Sequence, residues 1–218
     1  MKILLFGASG MLGQGVLREC LRDPAVSEVV SVVRRPGAVS HPKLREIVKP
    51  EMRDFADQLE AWRTIDACFF CLGISAAGMD EAAYRAVTYD LTLAVAKVLA
   101  QAHPGAAFVY VSGDGTDSSE RGRVMWARVK GATENALFKL PLKAVAFRPG
   151  LIRASHGEIS KTPLYRRIYA VIAPLLPLLQ RVAPNALTST EQIARAMLAV
   201  ARGATDHIIL STRQINRL

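Results

Sequence analysis

The chain has 218 residues, of which 50% are hydrophobic and 22% charged, with 15 Gly and 11 Pro. This is the composition of a globular protein with one core, and it excludes a disordered chain, a collagen and a disulfide scaffold. The net charge is +9, and residues 142–218 hold 11 basic against 3 acidic side chains. Such a surplus attracts anionic substrates or surfaces. Without a recognition motif or interleaved aromatic residues, it does not indicate nucleic-acid binding.

Short apolar runs alternate with longer segments of helical periodicity along the first 150 residues. This alternation predicts an α/β fold with a Rossmann-type, doubly wound parallel sheet, in a single domain over residues 1–218. Strands are predicted at 2–6, 28–33, 46–48, 67–72, 107–112 and 143–148, and helices at 13–22, 80–101 and 124–138, with a weaker helix at 54–62. Toward the C-terminus, residues 188–191 predict a helix cap, followed by a helix at 192–201 that ends at Gly203 and a short strand at 208–210.

The cysteines are Cys20, Cys68 and Cys71, too few for a disulfide framework, so we expect a reducing, cytoplasmic location. Cys68 and Cys71 lie three residues apart in a predicted strand and therefore face opposite sides, which indicates buried thiols and not a redox pair. We expect no secretory or membrane-spanning segment. The opening apolar run is too short, and the apolar segment at 168–179 is well under the ~20 residues that a membrane helix needs.

A glycine-rich segment, Gly7-Ala8-Ser9-Gly10-Met11-Leu12-Gly13, follows the first predicted strand and opens a helix. Gly7 permits a tight turn, Gly10 lets the backbone approach a pyrophosphate, and Gly13 lets the helix pack closely on the strand. The first amide hydrogens of the helix then face the anion. The segment predicts a dinucleotide-binding site.

The end of the second predicted strand indicates which dinucleotide binds. NAD-binding folds place a carboxylate there for the ribose 2′-hydroxyl, but this chain has Arg34 and Arg35. Guanidinium groups match the geometry and charge of a 2′-phosphate. We therefore predict NADP (NADPH) as the cofactor.

Four segments together resemble the short-chain dehydrogenase/reductase superfamily: the glycine segment, Cys71-Leu72-Gly73, Tyr110-Val111-Ser112 and Arg148-Pro149-Gly150. The order and spacing are similar to the atypical, epimerase/dehydratase-like branch that includes the Tat-interacting-protein group. The resemblance implies that the cofactor is held by Gly7, Ser9, Gly10, Met11, Leu12, Gly13, Arg34, Arg35, Leu72, Gly73, Lys130, Pro149, Gly150 and Ile152.

The same resemblance implies a catalytic set of a serine, a tyrosine and a lysine four residues after the tyrosine. Ser112 and Lys130 match it, and Trp126 occupies the tyrosine position. The spacing places positions 126 and 130 on one helix face. An indole N–H donates a hydrogen bond but does not serve as a proton acid, so the usual proton donor is missing.

Three interpretations of this replacement remain open. Trp126 provides a flat wall while solvent supplies the proton, or another group supplies it, or the protein binds NADP(H) without turnover as a redox-sensing regulator. The candidate groups for the second interpretation are Tyr84, Tyr89, Tyr165, Asp114, Asp117 and Glu120. The sequence favours an NADP-dependent oxidoreductase for a small carbonyl or conjugated substrate, with the non-catalytic protein as the alternative.

Residues 151–187 are predicted to form a substrate-side insertion that is rich in proline and basic residues. Within it, the amphipathic segment 164–182 is hypothesised to be a lid, with Arg166, Arg167 and Arg181 toward solvent. We rank a lid first, a homodimer contact second and an anionic membrane surface third. Weaker candidates for anchoring an anionic substrate are Arg153, His156 and Lys161. The four histidines show no metal-ligand spacing, so no metal site is expected.

Overall fold

A parallel sheet organises the chain, whose computed structural model describes residues 1–158 and 186–218. Its strands, with two further short ones, are β1 (Lys2–Phe6), β2 (Glu28–Val33), β3 (Leu44–Val48), β4 (Ala67–Phe70), β5 (Ala107–Val111), β6 (Lys143–Arg148), β7 (Leu151–Arg153), β8 (Leu187–Ser189) and β9 (Ile209–Ser211). In the described ranges, seven of them form a sheet in the order β3-β2-β1-β4-β5-β6-β9, and β7 pairs with β8 separately. The reversal of strand order between β1 and β4 places a crevice at their carboxyl ends.

Helices cover both faces of this sheet. They are α1 (Met11–Arg22), α2 (Glu81–Arg85), α3 (Leu91–Ala102), α4 (Met125–Leu137), α5 (Thr190–Ala201) and α6 (Thr212–Ile215). A π-helical turn, Ala86–Asp90, joins α2 to α3 without a break. Ser189 caps α5, because its hydroxyl accepts a hydrogen bond of 3.1 Å from the Gln192 amide.

The core has two parts, one on each face of the sheet. On one face, apolar side chains of α1 and α5 pack on the strands. On the other, α3 packs beside an aromatic cluster in which the Phe6 ring lies 5.3 Å from Phe70. Cys68 belongs to the second part and Cys71 packs against the first, as the spacing predicts. Both thiols are free, and burial raises the pKa of each, which makes them poor nucleophiles.

Most predicted elements are confirmed, with β1, β2 and β6 matching to the residue. β4 and β5 end earlier than predicted, at Phe70 and Val111, because the chain leaves the sheet there to line the crevice. The predicted helix at 54–62 is wrong: two separate 3-10 turns, Ala56–Gln58 and Ala61–Thr64, occupy this region. The sequence also missed β7, β8 and α6, which are too short to show a period.

The predicted insertion at 151–187 begins with β7, and its central part lies outside the described residues. The hypothesised lid at 164–182, with Arg166, Arg167 and Arg181, falls in that part, as do Lys161 and Tyr165. The single-domain boundaries and the lid therefore stay predictions. No helix within 1–158 or 186–218 has the length and apolar character to cross a membrane.

Candidate functional site

A cleft of about 1680 Å³ lies at the carboxyl ends of the central strands. Ligand pockets usually measure about 300–1,000 Å³, so this cleft has room for a dinucleotide together with a small second molecule. The predicted site residues on its wall are Gly7, Ser9, Gly10, Met11, Leu12, Arg34, Leu72, Gly73, Ser112, Trp126, Lys130, Pro149, Gly150 and Ile152. The structure thus brings residues from distant parts of the sequence to one place.

The glycine segment forms a turn that fits a pyrophosphate. Gly7 has a φ of +86°, and a Cβ there would lie 2.6 Å from the backbone of Cys71 and Leu72, so no other residue fits. Gly10 precedes α1, whose first turn has neither a side-chain cap nor an acidic residue. The first amide groups of α1 are therefore left for an anion.

Gly13 does not line the cleft, unlike Gly7 and Gly10. A Cβ at position 13 would lie 2.6 Å from the Gly7 carbonyl carbon. Its role is to let α1 approach the turn, as the sequence indicates, and it offers no surface to a cofactor.

The basic end of the cleft differs from the sequence prediction. Arg34 lies on the wall after β2, whereas Arg35 does not line the cleft. The cofactor contacts of both residues stay predictions. Arg53, in the loop after β3, lines the cleft instead. The sequence analysis missed Arg53, although the pairing of β3 with β2 brings the two loops to the same edge.

Ser112, Lys130 and Trp126 meet on one wall of the cleft, between β5 and α4. Ser112 is 5% exposed, and its hydroxyl donates a 3.0 Å hydrogen bond to the Phe147 carbonyl oxygen. Lys130 Nζ donates to the Ser112 carbonyl oxygen. Burial lowers the pKa of Lys130 to about 8, although the nearby Glu134 carboxylate opposes this effect. The wall therefore carries a hydroxyl, a cation whose proton is weakly held, and an indole.

Of the alternative proton donors named from the sequence, some line the cleft and others do not. Asp117 accepts hydrogen bonds from the amides of Ser119 and Gly122, and Glu120 accepts one of 2.7 Å from Asn135, so both hold loop structure. Tyr89 is not on the wall; its ring packs 3.9 Å from the Arg85 guanidinium. Tyr84 and Asp114 do line the cleft.

The weaker anion-anchoring candidates lie away from this wall. His156 Nε2 lies 3.1 Å from a Glu191 carboxylate oxygen. Neither His156 nor Arg153 lines the cleft. Within 1–158 and 186–218, no group of His, Cys, Asp or Glu side chains is arranged to hold a metal ion.

Solved structures with this architecture include dehydrogenases and epimerases. A short-chain dehydrogenase family protein from Francisella tularensis is similar with a TM-score of 0.65 and 17% identity, over 94% of this chain and 91% of that one. UDP-glucuronic acid 4-epimerase from Bacillus cereus, in complex with UDP-glucuronic acid and NAD, gives a TM-score of 0.69 and 14% identity, over 96% of this chain and 76% of that one. The chain has the Rossmann-type fold of the short-chain dehydrogenase/reductase superfamily, as predicted.

No family model matches the chain, but its sequence relatives define it more closely. Protein fmp52, mitochondrial, of Emericella nidulans is 30% identical over 176 residues, which cover 77% of this chain and 74% of that protein. The chain belongs to the Fmp52 family.

The predicted cytoplasmic location is contradicted by this comparison. Relatives from Emericella, Aspergillus and Eremothecium species are all named mitochondrial proteins. The prediction depended on free cysteines, which indicate a reducing environment but do not by themselves specify the compartment.

Proposed function

We propose that the protein is an NADP(H)-dependent oxidoreductase that acts on a small carbonyl or conjugated substrate. The main support is the continuity of the cleft, which joins the phosphate-binding turn at Gly7–Gly10 to Ser112 and Lys130 in one volume. A dinucleotide spanning these two ends would present its reactive ring beside polar side chains. This combination of a phosphate turn with a proton-bearing wall favours hydride transfer over simple nucleotide storage.

The proposed cofactor contacts come from both ends of the cleft. The amides at the start of α1 would bind the pyrophosphate, and Arg34 would bind the 2′-phosphate through charge-assisted hydrogen bonds. Lys130 would hold the nicotinamide ribose. Bound NADPH would supply a hydride to the substrate.

The proposed substrate end is bounded by Trp126 and by apolar side chains. Ile74, Leu151 and Ile152 line the same cleft as the indole, and apolar walls of this kind suit a flat or hydrophobic molecule. The hydroxyl proton of Ser112 is engaged by the Phe147 carbonyl. Ser112 would therefore turn its hydroxyl from that carbonyl to a substrate oxygen in order to polarise it.

The test is NADPH oxidation by the purified protein against a panel of aldehydes, quinones and flavins, followed by the loss of NADPH absorbance. Turnover of any member above the rate without protein supports the oxidoreductase. A calorimetric titration that shows tight NADPH binding, with no turnover across the panel, favours the alternative of a non-catalytic NADP(H)-sensing protein.

Arg34→Asp is expected to weaken NADP binding by roughly 1.5–3 kcal/mol, because a hydrogen bond to a charged group of that strength is lost. This corresponds to about a 10- to 100-fold rise in Kd. NAD, which lacks the 2′-phosphate, is expected to bind unchanged or more tightly. Titration of both nucleotides measures the effect.

Arg35→Asp is the matched control, because it makes the same charge change at a residue off the cleft wall. It should change the Kd of NADP by no more than about threefold, through long-range charge alone. Equal losses of NADP affinity in the two variants would contradict a specific contact by Arg34. Tighter binding of NAD than of NADP by the unaltered protein would contradict the choice of cofactor.

A further inference from the structure

Lys130 has hydrogen-bonding capacity left over in the cleft. Its ammonium group donates to the Ser112 carbonyl oxygen, which uses one of its three N–H bonds. The group lines the cleft beside the Ser112 side chain, so the remaining N–H bonds are next to the position proposed for the substrate oxygen. A proton donor is thus already present on this wall.

The neighbouring position that would carry a proton donor holds an indole. Trp126 lies one helical turn before Lys130 on α4, and its N–H is not acidic enough to transfer a proton. Asp114, in the loop after β5, accepts a hydrogen bond of 3.1 Å from the Gly115 amide. As a carboxylate it is a proton acceptor only. Tyr84 on α2 also lines the cleft, but Lys130 is the group that a hydrogen bond holds directly beside Ser112.

We propose that Lys130 itself transfers the proton to the substrate oxygen, a role that depends on the proposed oxidoreductase function. As the hydride from the nicotinamide cofactor forms the new C–H bond, the π electron pair of the C=O bond moves to oxygen. The N–H bond at Nζ breaks and an O–H bond forms. The neutral amine that remains takes a proton from water, which restores the ammonium group.

The surroundings of Lys130 suit this task. Removal from water disfavours its charged form and lowers its pKa to about 8, near the pH at which general acids work best. On its own helix Glu134 opposes this effect, but the Glu134 charge is paired with Arg148 from β6. The other titratable side chains on the wall of the cleft are Arg34, Glu51, Arg53, Cys71, Tyr84, Asp90 and Asp114.

The first experiment measures the proton affinity of Lys130 without any cofactor. Competitive acetylation between about pH 6 and pH 10, read residue by residue by mass spectrometry, compares Lys130 with the exposed Lys139 of the same chain. Lys130 is expected to reach half-maximal reactivity near pH 8. Equal midpoints, or a Lys130 midpoint above that of Lys139, overturn the proposal.

The second experiment is the pH profile of substrate reduction. The ammonium form is the acid, so kcat/KM is expected to be level below a pH of about 8 and to fall about tenfold per unit above it. For oxidation of the alcohol product, kcat/KM should instead rise with pH and level off above about 8, because this direction needs the neutral amine. A reduction profile that stays level through this range overturns the proposal.

Lys130→Arg separates proton transfer from positive charge. Arginine keeps the charge but does not release its proton in proteins, so kcat should fall by at least about 100-fold and the limb near pH 8 should disappear. NADPH binding is expected to weaken, since Lys130 is also proposed to hold the ribose, but by much less than kcat falls because arginine keeps the positive charge. An unaltered circular dichroism spectrum would exclude a change of fold. A variant with unaltered kcat and pH limb overturns the assignment and leaves the oxidoreductase function intact. A parent protein that oxidises no NADPH overturns the proposed function, whatever the acetylation shows.

Discussion

Arg148→Met is expected to lower the free energy of unfolding by about 3–5 kcal/mol, the cost of leaving a buried charge without its partner. The Glu134 side chain is 0% exposed, and the Arg148 guanidinium binds both of its carboxylate oxygens. Arg148 also donates to the Ser118 hydroxyl. The substitution removes all of these bonds at once and leaves a buried carboxylate that has lost both of its hydrogen bonds from the guanidinium.

Urea denaturation followed by circular dichroism measures this loss, and two further variants interpret it. Arg45→Met breaks the more exposed pair with Glu28, and should cost less than about 1 kcal/mol. Combining Arg148→Met with Glu134→Leu removes both charges and should recover most of the stability. If Arg148→Met alone lowered the free energy of unfolding by no more than Arg45→Met does, the buried pair would not stabilise the fold.

Gly131→Ala is expected to destabilise the protein by about 3 kcal/mol, the upper end of the cost of overpacking. Helix propensity alone gives the opposite sign, since alanine in place of glycine stabilises a helix by about 1 kcal/mol. In α4, however, a Cβ at position 131 would lie 2.5 Å from the Asp117 carbonyl carbon. The obstacle is backbone, so the loop between β5 and α4 would have to move away.

Gly73→Ala is the matched control for Gly131→Ala. A Cβ at Gly73 meets nothing within 4 Å, so this substitution should change stability by no more than about 1 kcal/mol. Urea denaturation of both variants tests the comparison. Stabilisation by Gly131→Ala would mean that the loop yields easily and that helix propensity decides the outcome.

The sheet and the phosphate turn could be predicted because their signals are local. β1 is a short apolar run that ends directly at Gly7, and β2 and β6 are bounded by changes in polarity, so periodicity alone places them. Ser112 and Lys130 were assigned through the resemblance to the short-chain dehydrogenase/reductase superfamily, whose serine follows the fifth strand and whose lysine lies on the next helix. These features need no knowledge of which elements touch.

What the sequence analysis missed depends on contacts between distant segments. Arg53 lines the cleft because β3 pairs with β2, and nothing near residue 53 reports this. Arg35 stands beside Arg34 in the chain but off the cleft wall. The pair of Glu134 with Arg148 forms because α4 returns along β6, which the two residues alone do not indicate.

The π-helical turn at Ala86–Asp90 gives this part of the chain a tolerance for changes in length. Its wide turn is closed by the Leu91 amide, which donates to the Ala86 carbonyl, so the turn contains one residue more than an α-helical turn. Deleting one residue here would restore regular pitch and keep α3 in its present rotation on the sheet. A deletion inside α3 would instead turn its buried side away from the strands. Homologous chains can therefore differ by one residue at this turn, which borders the cleft, and acquire differently shaped sites on an unchanged core.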